Sequence, residues 1–201
     1  MEEVTLFYAT NNKSKLHNMR YRLQDYPIKV VCPDDLHIQI SIEENGKTAV
    51  ENALIKARAY LSAVHPPIIA GDSGLRISGL PEEDQPGLYV RRVNGKVLSD
   101  DEMIEYYAGL AKKADCDCFI NYDTGIALIT GQGTFTTVIE DIPLKLSAIP
   151  NTNRTHRGNP LDVITLVSDG RFFNDLSDEE RSALDAICEE KFTEFIVSHL
   201  L

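Results

Sequence analysis

The chain has 201 residues, 43% of them hydrophobic and 25% charged, with a formal net charge of -11. That length fits one sizeable α/β domain or two small lobes with a shared core, and a single domain over residues 1–201 is the simpler reading. The negative balance opposes binding to an extended nucleic-acid backbone, and no apolar run approaches the ~20 residues of a membrane span.

The start Met1-Glu2-Glu3 is acidic where a secretory signal is basic, and the four cysteines are scattered, so a reducing cytoplasmic setting is expected. Cys116-Asp117-Cys118 is too tight and isolated for a zinc site.

Val4 to Ala9 reads as a strand, Thr10 to Lys15 as a polar loop, and Leu16, Met19 and Leu23 as the apolar face of a helix. Ile28 to Cys32 is a second strand, and an alternating stretch follows around His37 to Ser41. Thr48 and Glu51 have capping-box spacing, which predicts a helix from about Thr48 to Ser62. Ile68-Ile69-Ala70 is a short buried strand whose carboxyl end carries the loop Gly71-Asp72-Ser73-Gly74.

Ser99 and Glu102 predict another helix. Cys116 to Tyr122, Gly125 to Thr130 and Gly133 to Asp141 read as successive strands joined by tight turns. Asn151 to Pro160 is a polar loop before an apolar strand, Val163 to Val167, and Ser177 with Glu180 caps a final helix that is expected to break once. The result is a mixed α/β chain with a long central sheet.

Three motifs suggest chemistry. Gly46-Lys47-Thr48 fails as a P-loop, because Ser41 stands where that loop needs its first glycine. Gly71-Asp72-Ser73-Gly74 could make Ser73 a nucleophile, but Leu75 replaces the glycine that either known serine motif requires. Metal-phosphate chemistry fits better: Glu43-Glu44 and Asp72 end two predicted strands, so two carboxylates could share one magnesium ion. Lys13, Lys15, Lys56 and Arg92 would then neutralise phosphates. Each of these alone reads better as a solvated surface charge; together they favour the phosphate and metal reading.

The order of motifs is similar to that of the inosine and xanthosine triphosphate pyrophosphatase (ITPase-like) family. Ala9-Thr10-Asn11-Asn12-Lys13-Ser14-Lys15 resembles its opening loop. Glu43-Glu44-Asn45-Gly46, Thr48, Glu51-Asn52-Ala53 and Lys56-Ala57 resemble its next block. Gly71-Asp72-Ser73-Gly74-Leu75 matches an Asp-Asp-Ser-Gly-Leu segment with Gly71 in place of the first aspartate, and Pro86-Gly87-Leu88-Tyr89 with Arg92 follows.

The resemblance implies a mixed α/β fold in which helices flank a long central sheet and two lobes enclose a cleft. It implies hydrolysis of a non-standard or modified purine nucleoside triphosphate to the monophosphate and pyrophosphate, with Mg2+, in a homodimer. Asp72 would be general base and metal ligand, and Glu43 the second metal ligand. Thr10, Asn12, Lys15, Lys56, Ser73, Arg92, Asp162 and Arg181 would contact substrate, with Lys15 and Lys56 on phosphates.

The second half departs from the family. Gly158-Asn159-Pro160-Leu161-Asp162 keeps only the glycine and aspartate of a Gly-Phe-Gly-Tyr-Asp segment, and Asp185-Ala186-Ile187 replaces a Ser-His-Arg triplet. Thr155-His156-Arg157-Gly158 resembles that triplet displaced into an otherwise plain polar loop. These losses motivate an alternative, a nucleotide-binding module that senses or sequesters its ligand without turnover.

Overall fold

The computed structural model describes residues 2–114, 117–156 and 158–201. It is a mixed α/β structure with a long sheet flanked by helices, and its residues fall into two compact units. Unit 1 comprises residues 1–73, 124–139 and 187–201, and unit 2 comprises 74–123 and 140–186.

Unit 1 contains β1 (Val4–Tyr8), α1 (Lys13–Arg22), β2 (Ile28–Val31) and α2 (Ala49–Ala59). It also takes the first half of β3 (Ile68–Ile77), the second half of β6 (Phe119–Thr130), β7 (Gly133–Glu140) and the later turns of α4 (Asp178–Leu200). The strands lie in the order β2-β1-β3-β6, with β7 beside β6, and β1 runs parallel to both β2 and β3.

Alternation along the strands buries both faces, as parallel strands require. Leu6, Tyr8, Ile69, Ile126 and Leu128 pack with Met19, Leu23, Phe192 and Ile196 from α1 and α4. Phe7, Ala9, Ile68, Ala70, Ala127 and Ile129 face Ala53, Ala57 and Tyr60 of α2 and its C-cap.

Thr48 caps α2 by accepting the Glu51 N–H at 3.1 Å, while the Glu51 carboxylate accepts the Lys47 N–H at 2.6 Å. The helix ends at Ala59, three residues earlier than expected, and Leu61 to Ala63 continue as turns.

Gly125 explains the largest departure from expectation. Asp123-Thr124-Gly125 reads as a turn between two strands, yet β6 runs unbroken through it. A Cβ on Gly125 would stand 2.8 Å from Val50 Cα and closer still to Val50 N and the Ala49 carbonyl carbon. The first turn of α2 therefore rests on bare backbone, and glycine is present for close approach rather than for a bend.

β3 shows the same misreading: Gly71 to Gly74 lie inside the strand, so Asp72 is a strand residue, not a loop residue. The stretch around His37 to Ser41 forms no strand; Ile38, Ile40 and Ile42 pack against the α2-side core as irregular chain.

Unit 2 contains the remaining parts of β3 and β6, the hairpin β4 (Arg92–Val93) and β5 (Lys96–Val97), and α3 (Asp100–Lys113). It also contains β8 (Leu144–Leu146), β9 (Thr165–Leu166) and the first turns of α4. β8 is antiparallel to β6 and to β9. Ser99 and Glu102 form the reciprocal capping box of α3, whose Met103, Ile104 and Tyr107 are buried with Leu75, Ile77, Ile120 and Leu146.

Val163 to Val167 is not one strand: Asn159 and Pro160 start a 3-10 turn over Pro160–Ile164, and only Thr165–Leu166 pair. Ser177 and Glu180 exchange both capping hydrogen bonds, and α4 runs without the expected break. No helix among the described residues is long and apolar enough to cross a membrane.

Candidate active site

The carboxyl end of β1 leads into Thr10, whose hydroxyl accepts the Asn12 N–H at 3.2 Å; the Asn12 side chain then accepts the Lys15 N–H at 3.1 Å. Asn12 thus caps α1, and the expected polar loop is shorter because Lys13 and Lys15 already belong to the first helical turn. That turn carries no acidic residue. Cations there oppose the helix dipole, each by about 0.3–1 kcal/mol, so this end of α1 suits an anionic ligand.

Asn52 and Lys56 stand one helical turn apart on α2 and both reach Asp72. Asn52 Nδ2 donates to one carboxylate oxygen at 2.9 Å, and Lys56 Nζ to the other at 2.9 Å. Asn52 is 4% exposed, and its carbonyl accepts the Gly46 N–H at 2.8 Å, tying the 43–47 segment to the helix. Lys56 Nζ also lies 3.2 Å from Glu44 Oε2.

Lys15, Lys56, Asp72 and Glu44 line a cavity of about 390 Å³ within unit 1, together with Ile40, Ile42, Tyr60 and Gly71, and Asn52 supports it from behind through Asp72. The Lys15 ammonium is held below the usual lysine range, first by burial and next by Lys56, against the opposing pull of Asp72 and Glu44. A bound anion would relieve it.

Of the residues expected in the site, Thr10, Asn12, Lys15, Lys56 and Asp72 line this cavity. Glu43, the expected metal ligand, is exposed and not part of that lining, and the carboxylate paired with Lys56 is Glu44. Two carboxylates are a donor set that fits Mg2+, a hard cation that usually takes one or two protein carboxylates and fills its shell with water and phosphate oxygens.

Ser73 Oγ lies 3.1 Å from Thr124 Oγ1, so its neighbour is a hydroxyl and not the imidazole a nucleophile would need. Asn52 and Tyr60 are site residues that sequence reasoning does not single out, Asn52 standing inside a matched block without an assigned role. Glu44 enters the sequence reading only as one of the Glu43-Glu44 pair, of which Glu43 is the expected metal ligand.

The other expected residues belong to unit 2. Arg92 is exposed on β4. Asp162 is 7% exposed and accepts from Arg181 Nη1 at 3.2 Å. The Arg181 guanidinium also lies 4.6 Å over the Phe173 ring, and its Nη2 is buried with no hydrogen-bond partner among the described residues. Burial raises the Asp162 carboxyl above its ordinary range, while Arg181, His156 and Asn159 pull it back.

His156 lies in the expected exposed polar loop but is itself half-buried: its Nε2 lies 3.4 Å from Asp100 and its Nδ1 is buried. Arg157 of the displaced triplet and Cys116 of the cysteine pair lie outside the described residues.

A family model described as the Ham1 family matches residues 6–186. A Leptospira interrogans protein named dITP/XTP pyrophosphatase is 38% identical over 96 residues, 48% of each chain, so this chain spans about half the length of that relative. A Coxiella burnetii protein of the same name is 38% identical over 66% of this chain and 64% of its own.

Among solved structures, a HAM1 protein from Coxiella burnetii aligns with a TM-score of 0.80 at 28% identity, covering 97% of this chain and 99% of that one. The Staphylococcus aureus Ham1 protein shares the fold with a TM-score of 0.77, at 22% identity over 97% of this chain and 99% of that one. On the extent of the family match, joined to the same fold over nearly its whole length, the chain belongs to the Ham1 family.

Proposed function

We propose that this protein is a Mg2+-dependent nucleoside triphosphate pyrophosphatase, hydrolysing a non-standard purine triphosphate of the dITP/XTP kind to the monophosphate and pyrophosphate. The observation that carries this reading is the gathering of Lys15, Lys56, Asp72 and Glu44 around one cavity at the end of β1. Two cations, one of them on the first turn of α1, suit a polyphosphate, and two carboxylates suit its metal.

In the proposed reaction a water attacks the α-phosphorus, the bond to the bridging oxygen breaks, and pyrophosphate departs. Asp72 accepts the proton of the attacking water, and Asn52 fixes the orientation of that carboxylate through one oxygen. Lys15 and Lys56 hold the phosphate chain in line. Bound Mg2+, held by Asp72 and Glu44, would neutralise charge on the phosphate oxygens.

Ser73, Asp162 and Arg181 are proposed substrate contacts on the family resemblance alone, as is homodimer formation; Arg92 is proposed on the resemblance and its charge, and cytoplasmic residence on the few scattered cysteines. Glu43, the metal ligand that the resemblance implies, is the alternative to Glu44. The test is pyrophosphate release with Mg2+ across standard and deaminated ribo- and deoxyribonucleoside triphosphates. Asp72→Asn should lower kcat by at least about 10²-fold, the scale of general-base catalysis. Equal turnover in the variant would overturn the assignment.

Gly71 stands where the family's segment carries a carboxylate, and this favours a second reading as a nucleotide-binding module. Metal-dependent nucleotide binding without pyrophosphate release would select it.

A further inference from the structure

The carboxylates suited to a metal are already neutralised from inside. Lys56 Nζ is 2.9 Å from Asp72 Oδ1 and 3.2 Å from Glu44 Oε2, and Asn52 Nδ2 occupies the second Asp72 oxygen. The Lys56 side chain is 13% exposed and that of Asp72 18%, so water screens this pair little. No third acidic or imidazole group joins them: no cluster of three possible metal ligands occurs among the described residues.

The cavity charges therefore balance, Lys15 and Lys56 against Asp72 and Glu44. A free divalent cation has to displace an ammonium from both carboxylates and then face two lysines. A free triphosphate has to lie against two carboxylates. A cation already bound to a triphosphate meets neither penalty, because the metal replaces Lys56 on the carboxylates while the phosphates receive Lys56 and Lys15.

We infer that Lys56 is a built-in placeholder for the metal, so that this cavity rejects a bare divalent cation and takes metal and triphosphate only together. The inference rests on the pyrophosphatase reading and specifies the ligand of that site as the preformed metal–triphosphate complex. Lys56 changes partner on binding, from carboxylate to phosphate.

Two measurements on the full chain test this with Mn2+ as the metal probe and an α,β-methylene purine nucleoside triphosphate as the nucleotide. Titration of wild type should give Mn2+ affinity at least about tenfold higher with the analogue than without it. Analogue affinity should rise by the same factor with Mn2+, since coupling is reciprocal.

Lys56→Met should raise the affinity for Mn2+ alone by about tenfold or more while weakening binding of the Mn2+–analogue complex. Mn2+ alone binding wild type as tightly as in the presence of the analogue would overturn the inference and leave the pyrophosphatase reading standing. Failure of wild type to bind the analogue with Mn2+ would overturn both. The reciprocal measurement needs only wild type, so a poorly folding variant does not spare the inference.

Discussion

Gly125→Ala is the most demanding test of how α2 is seated. The added Cβ falls 2.8 Å from Val50 Cα and nearer to Val50 N and the Ala49 carbonyl carbon, all backbone atoms that cannot rotate away. Ordinary carbon contacts are about 3.5–4.0 Å, so the first turn of α2 has to retreat by about 1 Å. Overpacking costs about 1–3 kcal/mol, and a backbone obstacle belongs at the upper end, about 3 kcal/mol. For a chain of this size each kcal/mol moves Tm by about 2–4 °C, which predicts a loss of about 6–12 °C by differential scanning calorimetry.

The retreat also moves Asn52 and Lys56, whose bonds to Asp72 are 2.9 Å each, so pyrophosphate release should fall by about 10²-fold even where the variant is fully folded. Gly109→Ala is the control. Gly109 lies inside α3 with nothing within 4 Å of its added Cβ, and helix propensity should stabilise it by about 0.5–1 kcal/mol. If Gly125→Ala unfolds within 1 °C of wild type, the close seating of α2 on β6 is wrong.

Arg181→Ala strands a nearly buried Asp162 carboxylate and should cost about 3–5 kcal/mol in denaturant unfolding. The folded Asp162 pKa is already raised by burial, so in the variant its penalty is full above that pKa and fades as acid protonates it. The gap from wild type should narrow on acidification, and a gap that widens would refute this account. Lys15 has a folded pKa lowered from 10.5, so it costs stability at neutral pH, and that cost is relieved as pH rises through the lowered value. Triphosphate binding restores the proton; calorimetry in buffers of different ionisation enthalpy should show uptake growing in the alkaline range, and Lys15→Met should abolish it.

What the sequence disclosed was mostly local. The capping pairs Ser99–Glu102 and Ser177–Glu180 lie three residues apart and need no distant partner, and both form. Lys56 and Asp72 were legible as charge suited to phosphate and metal.

Glycine misled twice, at Gly71–Gly74 and at Gly125, because a residue that permits turns also permits another backbone to come close. Glu43 and Glu44 could not be told apart from composition. Only the lining of the cavity, which takes in Ile40, Ile42 and Glu44, tells them apart. Val163 to Val167 reads as one strand because a short apolar run carries no period, but the 3-10 turn started by Asn159 and Pro160 takes in Val163 and Ile164.

The seating of Phe192 and Ile196 beside Leu6 and Met19 has a consequence for synthesis. On the ribosome, the segment bearing Thr10, Lys56 and Asp72 emerges first, but the hydrophobic centre beneath it stays open until residues near 196 leave the exit tunnel. Contacts this distant in sequence form slowly and late. A nascent chain halted after β7 would expose the apolar faces that β1 and α1 otherwise turn toward Phe192 and Ile196, and such surface favours aggregation.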